Sequence, residues 1–268
     1  MHADAVSYVC RRLHADAPRK ARPRRAVFPE ASQEGWFCTH QRMMLSPKPV
    51  VPLVIHSLPL GPFETNAWVL LPARGSVTVV DPGMEPQALL DLLQELGRPV
   101  ERILLTHGHL DHVAGCAALR RHWDCSIHLH PEDLFLYRSL VEHGAWYGFQ
   151  LEAAPENTQP LAHGLRFAVG DEELEVLATP GHSPGSVCLR MESETGPALV
   201  CGDTLFAGAF GRTDLPGGSF RTLKASVLRE IFTLSGATRL LPGHGPSTTV
   251  EVERRGNPLL MLDEGDEG

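Results

Sequence analysis

Thr106-His-Gly-His-Leu-Asp-His112 places three histidines and one aspartate within six consecutive residues. The apolar run at residues 102–106 predicts a buried strand that ends in this segment. The spacing of apolar residues at 113–122 predicts a helix after it. The segment therefore lies at the carboxyl end of a strand, where binding crevices form in α/β sheets.

The residue types in this segment indicate metal binding. His107 and His109 are two residues apart on extended backbone, so both rings can face the same way. Asp111 and His112 occur at the turn into the helix and can face a neighbouring position. Gly108 is expected to keep a side chain out of the site. The segment predicts ligands for two adjacent metal ions.

In three further segments, a predicted apolar strand is followed by a glycine and then by one residue that can bind a metal ion. These pairs are Gly181-His182, Gly202-Asp203 and Gly243-His244. Glycine permits close approach of the backbone at such a point. Because strand ends gather at one crevice, we expect these residues to join the first segment. The seven candidate metal ligands are His107, His109, Asp111, His112, His182, Asp203 and His244.

Five imidazoles and two carboxylates suit Zn²⁺, Fe or Mn²⁺, and the set has no thiolate that would select a softer ion. We expect two divalent metal ions per chain, with Zn²⁺ as the first choice and Fe or Mn as alternatives. Two ions about 3.5–4 Å apart can share a hydroxide nucleophile and polarise a carbonyl oxygen. Gly181-His182-Ser183 lacks the G-x-S-x-G pattern of serine hydrolases, which excludes that class.

Predicted strands and helices alternate along the rest of the chain, beginning with antiparallel strands. Residues 131–148 are expected to be helical and residues 151–160 to form a loop. Further predicted helices are 86–96 and 220–234, and the other predicted strands are 51–55, 67–71, 77–80, 174–178, 186–190, 198–201 and 238–241.

The full set of motifs resembles the metallo-β-lactamase superfamily, and its glyoxalase II-like branch in particular. The resemblance covers about residues 53–262 and implies an α+β fold, a four-layer αββα sandwich with a dinuclear site along one edge of the paired sheets. The strings that carry it, besides Thr106–His112, are Thr179-Pro-Gly-His-Ser-Pro-Gly-Ser186, Gly202-Asp-Thr-Leu-Phe206, Gly211-Arg-Thr-Asp214 and Leu241-Pro-Gly-His-Gly-Pro246.

The resemblance also implies how the ligands are shared. One metal ion would take His107, His109 and His182. The other would take Asp111, His112 and His244, and Asp203 would bridge both. Asp111 and His244 are also the implied catalytic residues.

The implied activity is hydrolysis of a thioester such as hydroxyacyl-glutathione, a small-molecule substrate. Two alternatives share the metal-binding core, namely a persulfide dioxygenase with a single Fe and a lactonase-type or β-lactamase-like hydrolase. The dioxygenase branch typically reads Pro-Ala-His-Asp near its last histidine. This chain reads Leu241-Pro-Gly-His-Gly-Pro246, which favours the dinuclear hydrolase. Glyoxalase II enzymes carry a C-terminal helical domain that helps bind glutathione, and little sequence follows His244, so the acyl and thiol parts stay open.

Composition excludes other classes of function. A net charge of -8 argues against general nucleic-acid binding. No apolar stretch approaches the roughly 20 residues that cross a bilayer. Six scattered cysteines without a C-x-x-C pair indicate a cytoplasmic protein rather than a disulfide scaffold. The sequence leaves the oligomeric state open.

Residues 1–45 differ from the rest because basic residues outnumber acidic ones there. They are expected to be a disordered extension, or to precede a true start at Met43 or Met44. Residues 46–268 are expected to form the hydrolase domain, and residues 263–267 a solvated acidic tail.

Several other residues have two interpretations. Asp81 is expected either to hydrogen-bond a ligand histidine or to cap its Asp-Pro-Gly turn. Arg212 is expected to hold its loop against Asp214, with binding of a substrate carboxylate as the alternative. His128 is interpreted as structural. Side chains that either wall the substrate pocket or pack in the core are His143, Trp146, Tyr147 and Phe149.

Overall fold

The computed structural model describes residues 53–262. The predicted extension at residues 1–45 and the predicted tail at 263–267 lie outside the described residues. The division of the chain at residue 45 therefore stays a prediction. Among the described residues, no helix is long and apolar enough to cross a membrane.

The first sheet has six strands in the order of the chain. Its first three strands are antiparallel, and the remaining neighbours pair in parallel. The strands are β1 (Val54–Leu60), β2 (Thr65–Leu71), β3 (Val77–Val80), β4 (Val100–Leu104), β5 (Ser126–Leu129) and β6 (Gln159–Pro160).

The second sheet also has six strands, in the order β14-β13-β10-β9-β8-β7. They are β7 (Arg166–Val169), β8 (Glu172–Ala178), β9 (Val187–Ser193), β10 (Gly196–Gly202), β13 (Arg239–Pro242) and β14 (Thr248–Thr249). A separate two-stranded ribbon consists of β11 (Leu205–Phe206) and β12 (Ala209–Phe210).

Helices occupy the connections between strands. Short 3₁₀ turns at Pro131–Asp133 and Pro258–Leu260 and a π-helical turn at Val227–Ile231 accompany them. The helices are α1 (Gln87–Leu96), α2 (Leu110–Val113), α3 (Cys116–His122), α4 (Leu134–Arg138), α5 (Leu140–Trp146), α6 (Phe220–Ser226) and α7 (Val250–Gly256).

Three clusters of buried side chains separate four layers. Trp68 and Leu70 of β2 face the second sheet and pack in one cluster with Val200 of β10. Ala67 and Val69 point to the other face of β2 and pack under α1 and α3, because successive strand residues face opposite sides. The third cluster lies between the second sheet and α6. This confirms the predicted αββα sandwich.

The strands that precede the candidate ligands end at one edge of the sandwich. β8, β10 and β13 run in the same direction, since β10 pairs in parallel with β13 and both β8 and β10 are antiparallel to β9. The end of β4 joins this edge through a hydrogen bond from Val187 N to Thr106 O of 2.8 Å. The residues that follow these strand ends include His107, His182, Asp203 and His244.

The helix predicted at 113–122 is instead two helices, α2, which starts earlier at Leu110, and α3, which starts at Cys116. The break falls at Gly115, where a Cβ would lie 2.6 Å from the carbonyl oxygen of Pro82. The backbone of the turn after β3 therefore passes too close for a side chain. The prediction of one helix used apolar spacing alone, which carries no signal for this contact.

Other differences concern short elements. The predicted helix at 131–148 is a 3₁₀ turn followed by α4 and α5, and the one at 220–234 ends in the π-helical turn. The predicted loop at 151–160 contains β6, and β7 was not predicted. A strand of two to four residues is too short for periodicity to identify.

Candidate metal centre

The seven predicted ligand residues converge where the strand ends meet. Their ligand atoms fall into three overlapping groups, and in each group the atoms lie within 4.8 Å of one another. The groups are His107 with His109 and His182, His107 with His112 and Asp203, and Asp111 with His112 and His244.

The first group consists of three imidazoles. His182 Nε2 lies 2.9 Å from His109 Nδ1 and 3.3 Å from His107 Nε2. His107 and His109 come from the loop after β4, and His182 comes from the loop after β8 on the other sheet. The two sheets must therefore pack together to complete this group.

A separate set, called the second group from here on, consists of the carboxylate of Asp111 and the imidazoles of His112 and His244. Asp111 Oδ2 lies 3.2 Å from His244 Nε2 and 3.5 Å from His112 Nε2. Asp111 and His112 occupy the first turn of α2, and His244 follows β13. Asp111, His112 and His244 therefore lie close enough together to share one ion, and the partition of the ligands between two ions stays a prediction.

Asp203 lies between the two groups. Its Oδ1 is 3.3 Å from His112 Nε2, and its Oδ2 is 3.5 Å from His244 Nε2 and 3.7 Å from His182 Nε2. One carboxylate thus approaches histidines of both groups, as a bridging ligand must. Gly243 makes this approach possible, because a Cβ there would lie 2.1 Å from Asp203 Oδ1.

Two buried polar atoms indicate that this arrangement fits metal ions. His112 Nε2 and Asp203 Oδ1 are buried and make no hydrogen bond of acceptable geometry within the described residues. Buried polar atoms are otherwise almost always paired. Both atoms point into the ligand cluster, where a divalent ion would satisfy them.

Four of the five histidines are held by their other ring nitrogen. His107 Nδ1 donates to Thr106 Oγ1 at 3.0 Å, His182 Nδ1 to Arg212 O at 2.8 Å, and His244 Nδ1 to Phe63 O at 2.9 Å. Hydrogen bonds of this kind fix the tautomer and the ring orientation of metal-ligating histidines. The rings are therefore oriented by the protein itself.

The fourth of these histidines, His112, is oriented by Asp81. Asp81 Oδ2 lies 2.9 Å from His112 Nδ1, and the same carboxylate accepts hydrogen bonds from Thr106 N at 2.8 Å and Thr106 Oγ1 at 2.6 Å. Asp81 is fully buried and has a φ of 51°, which is uncommon for a residue other than glycine. Of its two interpretations, the hydrogen bond to a ligand histidine is the one observed.

Asp133 links the two loops that hold the first group, and the sequence analysis did not single it out. Its buried carboxylate accepts hydrogen bonds from Gly108 N at 2.8 Å, Gly185 N at 2.6 Å and Ser183 Oγ at 2.6 Å. Burial raises the pKa of Asp133, and these three donors oppose the shift. Gly108 contacts Asp133 rather than the ligands, because a Cβ there would lie 2.7 Å from Asp133 O.

The first two residues of β2 support the second group, and no sequence pattern singled them out. Thr65 Oγ1 donates to Asp111 Oδ2 at 2.9 Å. Asn66 Nδ2 donates to Pro242 O at 3.0 Å and Gly245 O at 2.9 Å, on both sides of His244. Nothing in the local sequence indicates these contacts, since their partners lie more than 40 residues away.

The two groups differ in their electrostatics. In the first, burial and the neighbouring His182 lower the pKa of His109 to about 3, and burial lowers that of His107 as well. These rings are neutral and have a lone pair free for a metal ion.

In the second group, the effect of the carboxylates on the histidine pKa values outweighs the effect of burial. Burial lowers the pKa of His244, but the contacts with Asp111 and Asp203 outweigh burial and raise it to about 10. The pKa of His112 is also raised, because Asp111, Asp203 and Asp81 outweigh its burial. Burial raises the pKa of Asp111, but the contacts with His112 and His244 outweigh burial and lower it to about 2. A metal ion here would replace protons on these rings.

A cleft of about 210 Å³ opens over both groups. Ligand candidates that line it are His109, Asp111, His182, Asp203 and His244, so the centre is accessible from the cleft. The remaining walls include His143, Trp146, Tyr147 and Arg212. Arg212 is held by Asp214 through two hydrogen bonds of 2.7 Å, which agrees with the preferred interpretation of that pair.

His128 lies away from this centre, as expected for a structural residue. It is buried on β5, and its ring packs edge-on against Phe167 with ring centroids 5.0 Å apart.

Comparison with known proteins identifies the class to which this fold and site belong. Residues 60–244 match the family model of the metallo-beta-lactamase superfamily. The chain belongs to this superfamily.

Individual relatives agree with this assignment. The hydroxyacylglutathione hydrolase GloC of Haemophilus influenzae is 33% identical over 208 residues, covering 77% of this chain and 97% of that protein. The crystal structure of TTHA1623 in a di-iron-bound form has 39% identity and a TM-score of 0.69, with 76% of this chain and 98% of that chain covered. The BLEG-1 B3 metallo-beta-lactamase has 33% identity and a TM-score of 0.71, with 78% and 100% covered. These similarities support a metal-dependent enzyme.

Proposed function

We propose that the chain is a dinuclear metal-dependent hydrolase that acts on thioesters, hydroxyacyl-glutathione among them. The observation that carries the proposal is the contact of His244 with Asp111 and Asp203, which completes a second set of three ligand side chains. A single-iron enzyme of this type would not need that set. The name of the GloC relative supports the substrate class.

In this proposal His107, His109 and His182 hold one ion, Asp111, His112 and His244 hold the other, and Asp203 contacts both. Two such ions, when bound, supply a Lewis acid for the carbonyl and a water that ionises near neutral pH. Thr106, Arg212 and Phe63 orient the ligand rings through their oxygen atoms.

Asp111 and His244 are the proposed catalytic residues, because both line the cleft and belong to the second group. Each is also fixed by a neighbour outside the group, Asp111 by Thr65 and His244 by the carbonyl of Phe63. Fixed in this way, the two side chains would keep their ligand atoms in place during the reaction.

The similarity to BLEG-1 makes β-lactam hydrolysis a second candidate. Both reactions attack a carbonyl carbon at the same kind of centre. They differ in the leaving group, which is a thiolate for a thioester and the ring nitrogen for a β-lactam.

The discriminating experiment assays one metal-loaded preparation on three substrates. Thiol release from lactoylglutathione, ring opening of a chromogenic cephalosporin and oxygen uptake on glutathione persulfide are measured side by side. We expect thiol release without oxygen uptake, and loss of thiol release in His244→Ala. His122→Ala is the matched control, since His122 is exposed on α3 and bonds only its own helix at Ala118 O. Oxygen uptake on the persulfide without thioester hydrolysis would overturn the proposal.

A further inference from the structure

Apolar and aromatic side chains form one part of the wall of the cleft over the metal-ligand groups. Phe63, Trp146 and Tyr147 line it, together with Leu136 and Leu215. Trp146 is 67% exposed and Tyr147 is 55% exposed, so neither side chain is core packing. Exposed apolar surface that surrounds a concave site usually marks the place where a ligand is bound.

These aromatic side chains are held in place by one another. Phe63 packs edge-on against Tyr147 and against Phe149, with ring centroids 5.9 Å apart in both pairs. Trp146 lies against His143 at 4.6 Å. Phe63 also accepts the hydrogen bond from His244 Nδ1 through its carbonyl oxygen. The aromatic wall is therefore preformed. One of its residues, Phe63, is hydrogen-bonded to the candidate metal ligand His244.

Outside the metal-ligand groups, the walls of the cleft carry no uncompensated positive charge from a lysine or arginine among the described residues that line it. Among the described residues that line it, Arg212 is the only lysine or arginine. Both oxygens of Asp214 engage its guanidinium group. Its charge is thus already compensated where a substrate carboxylate would bind.

We propose that the apolar wall binds the acyl side of the substrate, so that thioesters of aromatic or branched apolar acids are preferred over those of small hydroxy acids. This inference rests on the proposed thioesterase function. The reaction adds water across the bond, forming the carbon–oxygen bond of the acid while the carbon–sulfur bond breaks. The thiolate leaves and takes up a proton, and no other reactant is required.

The magnitude of the expected preference follows from apolar burial. Each methylene transferred from water into an apolar site changes binding by about fourfold. A benzyl group in place of a hydroxyethyl group is therefore expected to raise kcat/KM by at least about tenfold.

The test uses thioesters of one uncharged thiol, N-acetylcysteamine, with lactoyl, acetyl, isovaleryl and phenylacetyl groups. We expect kcat/KM to increase in that direction. Trp146→Ala and Tyr147→Ala should lower the value for phenylacetyl about tenfold more than they lower the value for lactoyl. Leu228→Ala is the control, because Leu228 is equally an exposed apolar residue but does not line the cleft.

Binding provides a second readout that does not need turnover. The dissociation constant of the thioether analogue of the phenylacetyl substrate, measured by calorimetry, should increase about tenfold in Trp146→Ala and stay unchanged in Leu228→Ala. Equal or better hydrolysis of lactoyl than of phenylacetyl thioester would overturn the acyl preference and leave the thioesterase proposal standing. Absence of hydrolysis for every thioester would overturn the thioesterase proposal, and with it the acyl assignment. Unchanged binding in Trp146→Ala would show that Trp146 does not contact the acyl group, and would contradict the assignment of the apolar wall to it.

Discussion

Asp81 Oδ2 lies 2.9 Å from Nδ1 of His112, and both side chains are buried. The carboxylate thus orients one ring of the second group directly. Through Thr106 Oγ1, which donates to Asp81 and accepts from His107 Nδ1, it also orients a ring of the first group. One residue outside the ligand set supports both groups.

Asp81→Asn is therefore expected to weaken metal binding by about 10- to 100-fold. The amide has a single acceptor oxygen for three donors and cannot balance the charge of a metal-bound imidazole. Competition with a chelator of known affinity measures the change. Asp91→Asn is the control, since Asp91 is an exposed acid whose partner is Gln87. Equal affinity in the two variants would contradict the role given to Asp81.

Asp133→Asn is expected to destabilise the protein by about 1–3 kcal/mol, because one donor from Gly108 or Gly185 would lose its acceptor in the interior. Chemical denaturation measures this effect. Because the two loops carry His107, His109 and His182, metal affinity of the first group should fall as well. Ser183→Ala removes one donor and leaves both backbone bonds, so it should cost less. A larger loss in Ser183→Ala than in Asp133→Asn would show that Asp133 is not the link between the loops.

Metal binding is expected to release protons at neutral pH. The pKa of His244 is raised to about 10, so this ring is protonated at pH 7 in protein stripped by a chelator, and the pKa of His112 is raised as well. A metal ion requires the neutral ring. Calorimetric titration in two buffers of different ionisation enthalpy gives the number of protons released. His244→Ala should lower that number, because its own proton is missing and the ion of the second group is no longer bound, and no release in the unsubstituted protein would refute this electrostatic account.

The same shift has a consequence for the stability of the chelated protein. The folded pKa of His244 lies above its ordinary value of 6.5. Its contribution to stability is therefore fully present below pH 6.5 and is lost as the pH rises through about 10. Denaturation midpoints of the metal-free protein, measured as the pH rises through this range, should decline more in the unsubstituted chain than in His244→Ala. A parallel decline in both would assign the loss to other groups.

Asp203→Ala is expected to lower metal occupancy at both groups, since its carboxylate lies within 3.7 Å of His182 Nε2 and closer to His112 and His244. His109→Ala is the matched comparison, because His109 belongs to the first group alone. Metal per chain, determined after dialysis, distinguishes the two. If both variants lose the same amount, Asp203 is not the bridge or the two groups bind cooperatively.

The sequence indicated the ligand cluster because each candidate lies in a segment that follows a predicted strand, and such strand ends meet at one edge of a sheet. The Thr106–His112 string and the glycines before His182, Asp203 and His244 were sufficient for that. The sandwich fold followed from the resemblance and is confirmed by the two sheets and three core clusters.

The supporting contacts could not be predicted in the same way. Asp133 is in His-Pro-Glu-Asp, which reads as an ordinary helix start with acidic residues near its N-terminus. Its function depends on where α4 packs against a loop from the other sheet. Thr65 and Asn66 likewise act on residues far along the chain. Such contacts are properties of tertiary packing rather than of local pattern.

The central claim is that His244 completes a second metal-binding group. Elemental analysis of the purified protein, loaded with Zn²⁺, Fe or Mn²⁺ and then dialysed, tests it most directly. We predict close to two ions per chain in the unsubstituted protein and in His122→Ala, and about one in His244→Ala. One ion per chain in the unsubstituted protein, unchanged by His244→Ala, would contradict the account.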